Sequence, residues 1–330
     1  MIPIRIQSVQ PIFIFSLPRS GSTLLQRMLG AHERIATVSE PWFLLPLFYT
    51  LKQKGLYAEY DHRCVNQAMA DLIECIPGKK SELLRQIKDF SINIYSKLSH
   101  EGATFFLDKT PRYHLIIDEI IETFPDAKFI FLWRNPLSIA SSINETWANG
   151  KWKLYAYKVD IYKGMENLVD AYGKYKNCSL SIRYEDLVSN PELSIRRVCS
   201  YLDIAFDKQM ISSFSQTTLS GGLGDPTGVK KYSQVSEDSL GKWVLHYSNP
   251  LRRIWAKKYL RWIGRDRLSA IGYCYDDIEQ ALSSNKVIHN NMLSDGLRMV
   301  FGELYCFFEP VIFLDKIKTC WNGKKVCAHR

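Results

Sequence analysis

The sequence predicts an α/β protein, built as a doubly wound parallel sheet flanked by helices, with a helical C-terminal extension. Apolar runs rich in β-formers lie at residues 11–16, 104–107, 128–133 and 179–183, and turn residues bound each run. Segments with the apolar spacing of helices separate the runs. In addition, the polar turn SLPRSGST joins the first run directly to a helical segment. Strands that alternate with helices form parallel crossover units, which gives the fold class.

The helices and the domain organisation follow from the same pattern. A long loop is predicted at residues 216–242, which are rich in Gly, Ser, Thr and Lys, and we interpret it as a lid over a ligand. We divide the chain into an α/β domain, residues 1–250, and a helical extension packed on it, residues 251–330. Helical spacing predicts helices at residues 23–29, 81–98, 113–124, 137–147 and 155–175.

Composition narrows the function classes. The 330 residues are 46% hydrophobic and 23% charged, which is typical of a globular protein. The formal net charge of +9 favours an anionic partner. We expect no nucleic-acid binding, because the basic residues are dispersed and no recognition motif is present. The eight cysteines have neither C-x-x-C nor His spacing of a zinc site, so we expect no metal and reduced thiols.

The chain also gives expectations about location. No apolar leader with a cleavage site follows Met1, so we expect no secretion signal and a cytoplasmic protein. The apolar stretch at residues 297–314 contains Arg298, Glu303, Glu309 and Pro310, which a lipid-spanning helix would not tolerate well. We therefore expect no transmembrane segment. Peripheral contact of the basic, aromatic C-terminus with a membrane surface is one interpretation of its composition.

The turn at residues 16–23 carries the first functional signal. A strand that ends in such a turn and continues into a helix directs backbone N–H groups and the positive helix end at one point, which suits an anion. The nucleotide P-loop pattern G-x-x-x-x-G-K-[ST] is absent, because this turn has neither the first glycine nor the lysine. A serine-rich turn that only caps the helix at Ser22 or Thr23 is the structural alternative.

Two later strands end in residues of similar character. In the segment FIFLWRNPLSIASSI, a strand ends at Arg134, and Ser142 follows two helical turns further on. An arginine and a serine placed in this way can bind a phosphate. A surface arginine paired with a carboxylate is the alternative for Arg134. In the segment SIRYEDLVSNPE, a strand is followed by Tyr184. The ring of Tyr184 either packs in the core or covers a nucleobase.

These three pieces, in this order, resemble the motifs of the sulfotransferase superfamily. The resemblance covers residues 11–243 and is closest to the branch with a P-R-S-G-[ST]-T loop, which includes tyrosylprotein and many bacterial sulfotransferases. It implies a P-loop-like sheet, 3′-phosphoadenosine 5′-phosphosulfate (PAPS) as the donor, adenosine 3′,5′-bisphosphate as the product, and no metal. It also implies donor-binding roles for Arg19, Ser20, Gly21, Ser22 and Thr23 at the 5′-phosphosulfate, Arg134 and Ser142 at the 3′-phosphate, and Tyr184 near the adenine.

The resemblance also implies catalytic roles. Arg19 and Lys109, the latter in FFLDKTPRY, would stabilise the departing bisphosphate, whereas a solvated charge is the alternative for Lys109. The histidine of the cytosolic K-T-H motif is absent, because Pro111 stands there. Glu40, 21 residues after Arg19, matches the base of the tyrosylprotein branch, although a helix-entry charge is the alternative. The reserve candidates for the base are His114 and Asp108.

The late loop and the acceptor side complete the expectations. In GGLGDPTGVKKYSQVSEDSLGKW, Lys242 matches a residue that closes over the 3′-phosphate, with Lys230 and Lys231 as looser matches. The apolar stretch PWFLLPLFYTL after Glu40 would line the acceptor side and suit a lipid or another amphiphile, whereas a buried helix is the alternative. A sugar acceptor stays open. A nucleotide kinase and a fold that binds nucleotide without turnover are the alternatives from other classes.

Overall fold

Five parallel strands lie at the centre of the fold. The computed structural model describes residues 8–53, 61–217, 219–221, 236–237, 240–308 and 317. Within these residues the strands form one sheet in the order β2, β3, β1, β4, β5. The strands are β1 (Gln10–Phe15), β2 (Ile35–Thr37), β3 (Phe105–Asp108), β4 (Lys128–Trp133) and β5 (Ser179–Arg183).

The order of the strands creates a switch point beside β1. On one side β1 pairs with β3, and Ile12 lies opposite Leu107. On the other side β1 pairs with β4, and Ile12 lies opposite Lys128. Connections therefore leave the carboxyl edge of the sheet in both directions, and ligands of doubly wound sheets bind in the resulting crevice. Every strand ends at this edge, so the residues that follow the five strands converge there.

Helices cover both faces of the sheet. Short 3₁₀ segments at Pro111–Leu115 and Leu154–Tyr157 and a π segment at Val159–Gly164 lie among them. The α-helices are α1 (Ser22–Gly30), α2 (Leu44–Tyr49), α3 (His62–Cys75), α4 (Lys79–Leu98), α5 (Ile117–Thr123), α6 (Pro136–Ala148), α7 (Met165–Tyr175), α8 (Tyr184–Ser189), α9 (Pro191–Leu202), α10 (Gln209–Ser212), α11 (Trp243–His246), α12 (Pro250–Ala270), α13 (Tyr275–Ser284) and α14 (Met292–Phe308).

Burial of both faces of the sheet explains why the strand sequences are continuous apolar runs. Side chains of β1 alternate between two buried clusters, with Phe13 and Phe15 on one face and Ile12 and Ile14 on the other. Because both faces of the parallel sheet are covered, neither face needs polar residues. The predicted α/β fold with a parallel sheet flanked by helices is confirmed.

The helices after residue 250 pack against the same body. Helix α12 starts at a cap in which the Asn249 side chain accepts hydrogen bonds from the backbone N–H groups of Leu251 and Arg252. Further along α12, Tyr259 and Leu260 belong to the larger buried cluster. The boundary between the two predicted domains stays a prediction. No helix within the described residues is long and apolar enough to cross a membrane, and most of the predicted lid, residues 216–242, lies outside them.

Candidate active site

The turn between β1 and α1 has the backbone of an anion-binding loop. Arg19 and Gly21 both adopt left-handed conformations, with φ of 68° and 89°. Helix α1 then begins at Ser22 with no side-chain cap and no acidic residue in its first turn. The first N–H groups of a helix have no acceptor within that helix, and the helix dipole adds positive potential there. The backbone N–H groups of the turn can therefore bind a phosphate-like group without any side chain.

Gly21 is required by a close neighbour as well as by its φ angle. A Cβ built on Gly21 would lie 2.2 Å from Cδ2 of Tyr184. The ring of Tyr184 is buried, and the guanidinium of Arg134 lies 4.4 Å from its centroid. Arg134 also donates a hydrogen bond from Nη1 to the carbonyl oxygen of Arg19 at 2.8 Å. The strand-end residues of β4 and β5 thus hold the turn in position.

The side chain of Arg19 joins this group to helix α6. Its Nε donates a hydrogen bond to Oγ of Ser142 at 3.2 Å. Ser142 lies on α6, which begins directly after Arg134 and is capped by the side chain of Asn135. Three separate stretches of the sequence therefore meet at the carboxyl edge of the sheet, and they contribute Arg19, Arg134 with Ser142, and Tyr184.

Glu40 and Lys109 form an ion pair on the other side of the turn. Lys109 directly follows β3 and is almost fully buried, and its Nζ lies 2.6 Å from Oε1 of Glu40. The same Nζ is 3.5 Å from Oγ1 of Thr23. The second carboxylate oxygen of Glu40 accepts a hydrogen bond from Nε1 of Trp42 at 3.1 Å. The left-handed backbone of Trp42, φ 58°, brings its indole back onto Glu40. Lys109 therefore links the carboxylate to the anion-binding turn.

A cavity of about 190 Å³ lies between these groups. One wall consists of the β1–α1 turn together with Arg134 and Tyr184. The lining also includes an aromatic group, Trp42, Trp147 and Tyr157. The rings of Trp147 and Tyr157 stack with centroids 4.8 Å apart. Glu40 lines the cavity too, so a carboxylate shares it with cationic and aromatic side chains.

A second ion pair, which the sequence analysis missed, lines the same cavity. Arg112 contacts the carboxylate of Asp160 through Nε at 3.2 Å and through Nη2 at 3.1 Å. Behind it, Nε2 of the buried His114 lies 3.2 Å from Oδ1 of Asp160. Burial raises the pKa of Asp160, but the hydrogen bond with His114 and the charge of Arg112 outweigh it, so the pKa lies below its usual value. The side chain of Asp160 is therefore ionised at neutral pH.

The two reserve candidates for the base do not line the cavity. Asp108 is fully buried, and its carboxylate accepts hydrogen bonds from the hydroxyls of Tyr95 at 2.6 Å and Tyr113 at 2.9 Å. Burial raises its pKa to about 6, against the lowering effect of these hydrogen bonds. His114 is buried against Asp160. Of the three candidates, Glu40 is the carboxylate that faces the cavity.

Other predicted residues have different positions. Ser20 is buried within the turn and is not part of the cavity lining. Lys242 is exposed and lines a separate groove, together with Ser141 and Arg252, so the structure does not bring it to the cavity. Lys230 and Lys231 lie outside the described residues. Among the described residues, no cluster of His, Cys, Asp and Glu could hold a metal ion, and the expected absence of a metal stays a prediction.

Comparison with known proteins decides the family. The sequence profile of the sulfotransferase family matches residues 11–208, which is more than half of the chain. The chain belongs to the sulfotransferase family. The match extends from β1 to β5 and contains all the residues that line the cavity. Enzymes of this family use PAPS as the sulfuryl donor.

Individual relatives agree with this family but differ from one another. The chain is 35% identical over 142 residues to the nodulation protein NoeE of Sinorhizobium fredii, an alignment that covers 41% of this chain and 31% of that protein. It is 26% identical over 251 residues to protein-tyrosine sulfotransferase A of Caenorhabditis elegans, covering 71% and 60%. The chain thus spans less than two thirds of either relative.

A solved structure can be set beside these relatives. The sulfotransferase domain of the Synechococcus PCC 7002 olefin synthase aligns with a TM-score of 0.49 and 25% identity, covering 72% of this chain and 88% of that domain.

Proposed function

We propose that this protein transfers the sulfuryl group of PAPS to a hydroxyl of an acceptor, with Glu40 as the general base. The observation that carries the proposal is the Lys109–Glu40 ion pair: Glu40 lines the same cavity as the anion-binding turn, and the buried Lys109 lies behind it with its Nζ 3.5 Å from Oγ1 of Thr23. A base for the acceptor and a cation for the leaving group are the two parts that in-line transfer requires. An amine is the alternative nucleophile, because the same base would also accept its proton.

The residues of the cavity fit the donor. Arg19 and Arg134 line the cavity beside Gly21, whose lack of a Cβ lets the Tyr184 ring pack against the turn. The first turn of α1 carries no acidic residue. We assign the 5′-phosphosulfate to residues 19–23, the 3′-phosphate to Arg134 and Ser142, and the adenine to the neighbourhood of Tyr184. When bound, PAPS supplies an activated sulfuryl group on a good leaving group. The proposed role of Lys242 in closing over the 3′-phosphate requires its side chain to leave the separate groove that it lines.

The protein's own residues then have defined tasks. Glu40 takes the proton of the acceptor hydroxyl on a carboxylate oxygen, while Trp42 fixes the orientation of that carboxylate. Lys109 lies between Glu40 and Thr23, so it can place its charge at the phosphate loop while it holds the base in position. Arg19 places a second cation at the same end of the cavity. Preorganised charges of this kind stabilise the charge that develops on the leaving oxygen.

The aromatic part of the cavity lining supports a hydrophobic or amphiphilic acceptor. Trp42, Trp147 and Tyr157 present aromatic surface to the cavity. The expectation that the whole stretch PWFLLPLFYTL lines the acceptor side is not met, because Leu44 and Phe48 are buried in the core and only Trp42 of this stretch lines the cavity. A small molecule or lipid with an apolar body and one hydroxyl suits this lining.

A carbohydrate is the second candidate, favoured by the Arg112–Asp160 pair. This pair lines the cavity beside the aromatic residues, and its guanidinium and carboxylate offer donors and acceptors for several hydroxyl groups. The protein-tyrosine sulfotransferases among the relatives make a phenol a further acceptor worth testing. The nucleotide-kinase alternative is not supported, since the turn lacks the P-loop lysine and the family is that of sulfotransferases.

Transfer of radiolabelled sulfate from PAPS tests the proposal. The wild type is assayed with a long-chain alcohol, a sterol, a phenol and a sugar, beside Glu40→Gln and the exposed control Glu33→Gln. We expect Glu40→Gln to lose at least about 100-fold in rate, the usual contribution of a general base, and to keep its affinity for adenosine 3′,5′-bisphosphate. Wild-type turnover in Glu40→Gln would reject the base. Bisphosphate binding without transfer to any acceptor would favour a non-catalytic fold.

A further inference from the structure

Helix α14 has an apolar face that points away from the protein. The side chains at Leu293, Leu297, Val300, Leu304 and Phe307 are between 47% and 85% exposed. Their spacing of four and three residues places them on one face of the helix. Contiguous exposed apolar patches are uncommon on proteins that have no partner for them, and large ones mark interaction surfaces.

The opposite face of α14 is firmly attached to the body. The buried carboxylate of Asp295 pairs with the guanidinium of Arg252, with Nε to Oδ2 at 2.7 Å and Nη2 to Oδ1 at 3.0 Å. Nδ2 of Asn249 donates to the same carboxylate at 3.0 Å. Further along, Gly302 packs so closely on Tyr155 that a Cβ would lie 2.2 Å from its ring. The helix therefore cannot rotate to bury its apolar residues without losing a buried ion pair.

The charges around the apolar face are positive. Arg298 lines a groove on α14 with Leu297 and Phe301, and Lys258 of α12 lines the neighbouring groove with Glu303. Glu303 is neutralised by an ion pair with Lys158. Within the described part of the chain, neither Arg298 nor Lys258 forms an ion pair. An apolar ridge beside cations is complementary to the anionic surface of a lipid bilayer.

The body-attached face of α14 is linked to the candidate active site by the 3₁₀ segment Leu154–Tyr157. Tyr155 of this segment packs against Gly302 of α14, and Tyr157 lines the cavity.

We propose that α14 is a membrane-docking element that holds the protein on an anionic lipid surface. A second copy of the chain is a poorer occupant. A two-fold interface brings the same patch of both copies together. It would gather Arg298 and Lys258 of both copies, while the carboxylates of Asp295 and Glu303 on α14 are already paired within each copy. The apolar face lies in the membrane interface and does not span it. The inference does not depend on the proposed transfer reaction, because lipid binding needs neither PAPS nor an acceptor.

Cosedimentation of the full chain with vesicles tests the proposal. The vesicles are phosphatidylcholine alone or phosphatidylcholine with added phosphatidylglycerol. The apolar variant is Leu293→Ser with Phe307→Ser, and the matched control is Leu72→Ser with Leu193→Ser, which removes two exposed leucines from α3 and α9. The charge variant is Lys258→Gln with Arg298→Gln.

We expect the wild type and the control to bind the anionic vesicles more tightly than the neutral ones. The apolar variant should bind at least about tenfold more weakly, and the charge variant should lose roughly fivefold for each charge removed. Equal binding of the apolar variant and the control would overturn the proposal. So would a wild type that binds neither vesicle, or one that sediments as a dimer and dissociates when the apolar residues are replaced.

Discussion

Replacement of Gly21 by alanine is the sharpest test of the donor turn. Two costs can be worked out from the structure. The first is backbone strain, because φ is 89° at Gly21 and left-handed conformations cost about 1–2 kcal/mol for residues with a Cβ. The second is a collision, since the new Cβ would lie 2.2 Å from the Tyr184 ring. Carbon atoms pack at about 3.5 Å or more, so the ring would have to move by about 1.3 Å.

Gly102 separates these two costs. It has the same φ of 89°, but nothing lies within 4 Å of its Cβ position. Gly102→Ala should therefore show the strain alone, as a fall of a few degrees in the unfolding temperature, with unchanged affinity for adenosine 3′,5′-bisphosphate. Gly21→Ala should show a similar or larger fall in stability and a loss of about 100-fold in affinity, because displacements of about 1 Å in a binding site have effects of this size.

Isothermal titration of both folded variants with adenosine 3′,5′-bisphosphate gives the comparison. Wild-type affinity in Gly21→Ala would refute the assignment of residues 19–23 and Tyr184 to the donor. Equal losses in Gly21→Ala and Gly102→Ala would attribute the effect to the backbone instead of the site.

Two further predictions concern a buried acid and the acceptor wall. The pKa of Asp108 rises from 3.8 to about 6 on folding, so its ionisation costs stability as the pH rises from about 4 to about 6. In urea unfolding, the stability of Asp108→Asn relative to the wild type should rise by roughly 2.5 kcal/mol between pH 4 and pH 7, because the Asn side chain does not ionise and keeps an acceptor for Tyr95 and Tyr113; a constant difference would contradict this. Trp147→Ala, which removes the stacking partner of Tyr157, should raise the KM for the acceptor about three- to tenfold with unchanged bisphosphate affinity, and an unchanged KM would remove Trp147 from the acceptor site.

The sequence predicted the longer elements because their patterns are strong. The strands that became β1, β3, β4 and β5 were predicted to within one residue at each end. Strand β2 was missed, since its three residues are too short to show an alternating pattern. The single helix predicted at residues 155–175 was wrong in its first half. A π segment occurs there instead, and it places Asp160 beside Arg112 and Gly164 against His114.

Some residues of the candidate site were predicted from the sequence, and others were not. Arg19, Arg134 and Tyr184 follow strands, so the motif and the topology together predict that they meet. The pair of Arg112 and Asp160 could not be found, because the two residues lie on separate segments, 48 positions apart, and only tertiary packing brings them together. A lone aspartate within an apolar helical pattern was the only available signal for it.

Thermal unfolding with nucleotides tests the central claim most directly. The protein is unfolded with adenosine 3′,5′-bisphosphate, with ADP, and with ATP and Mg²⁺ at the same concentration. A ligand at 100 times its dissociation constant stabilises the folded protein by about 2.7 kcal/mol. We predict stabilisation of this size by the 3′,5′-bisphosphate alone, because Arg19 of the turn and Arg134 after β4 both line the cavity. A shift only with ATP and Mg²⁺, or no shift with any of the three, would contradict the account.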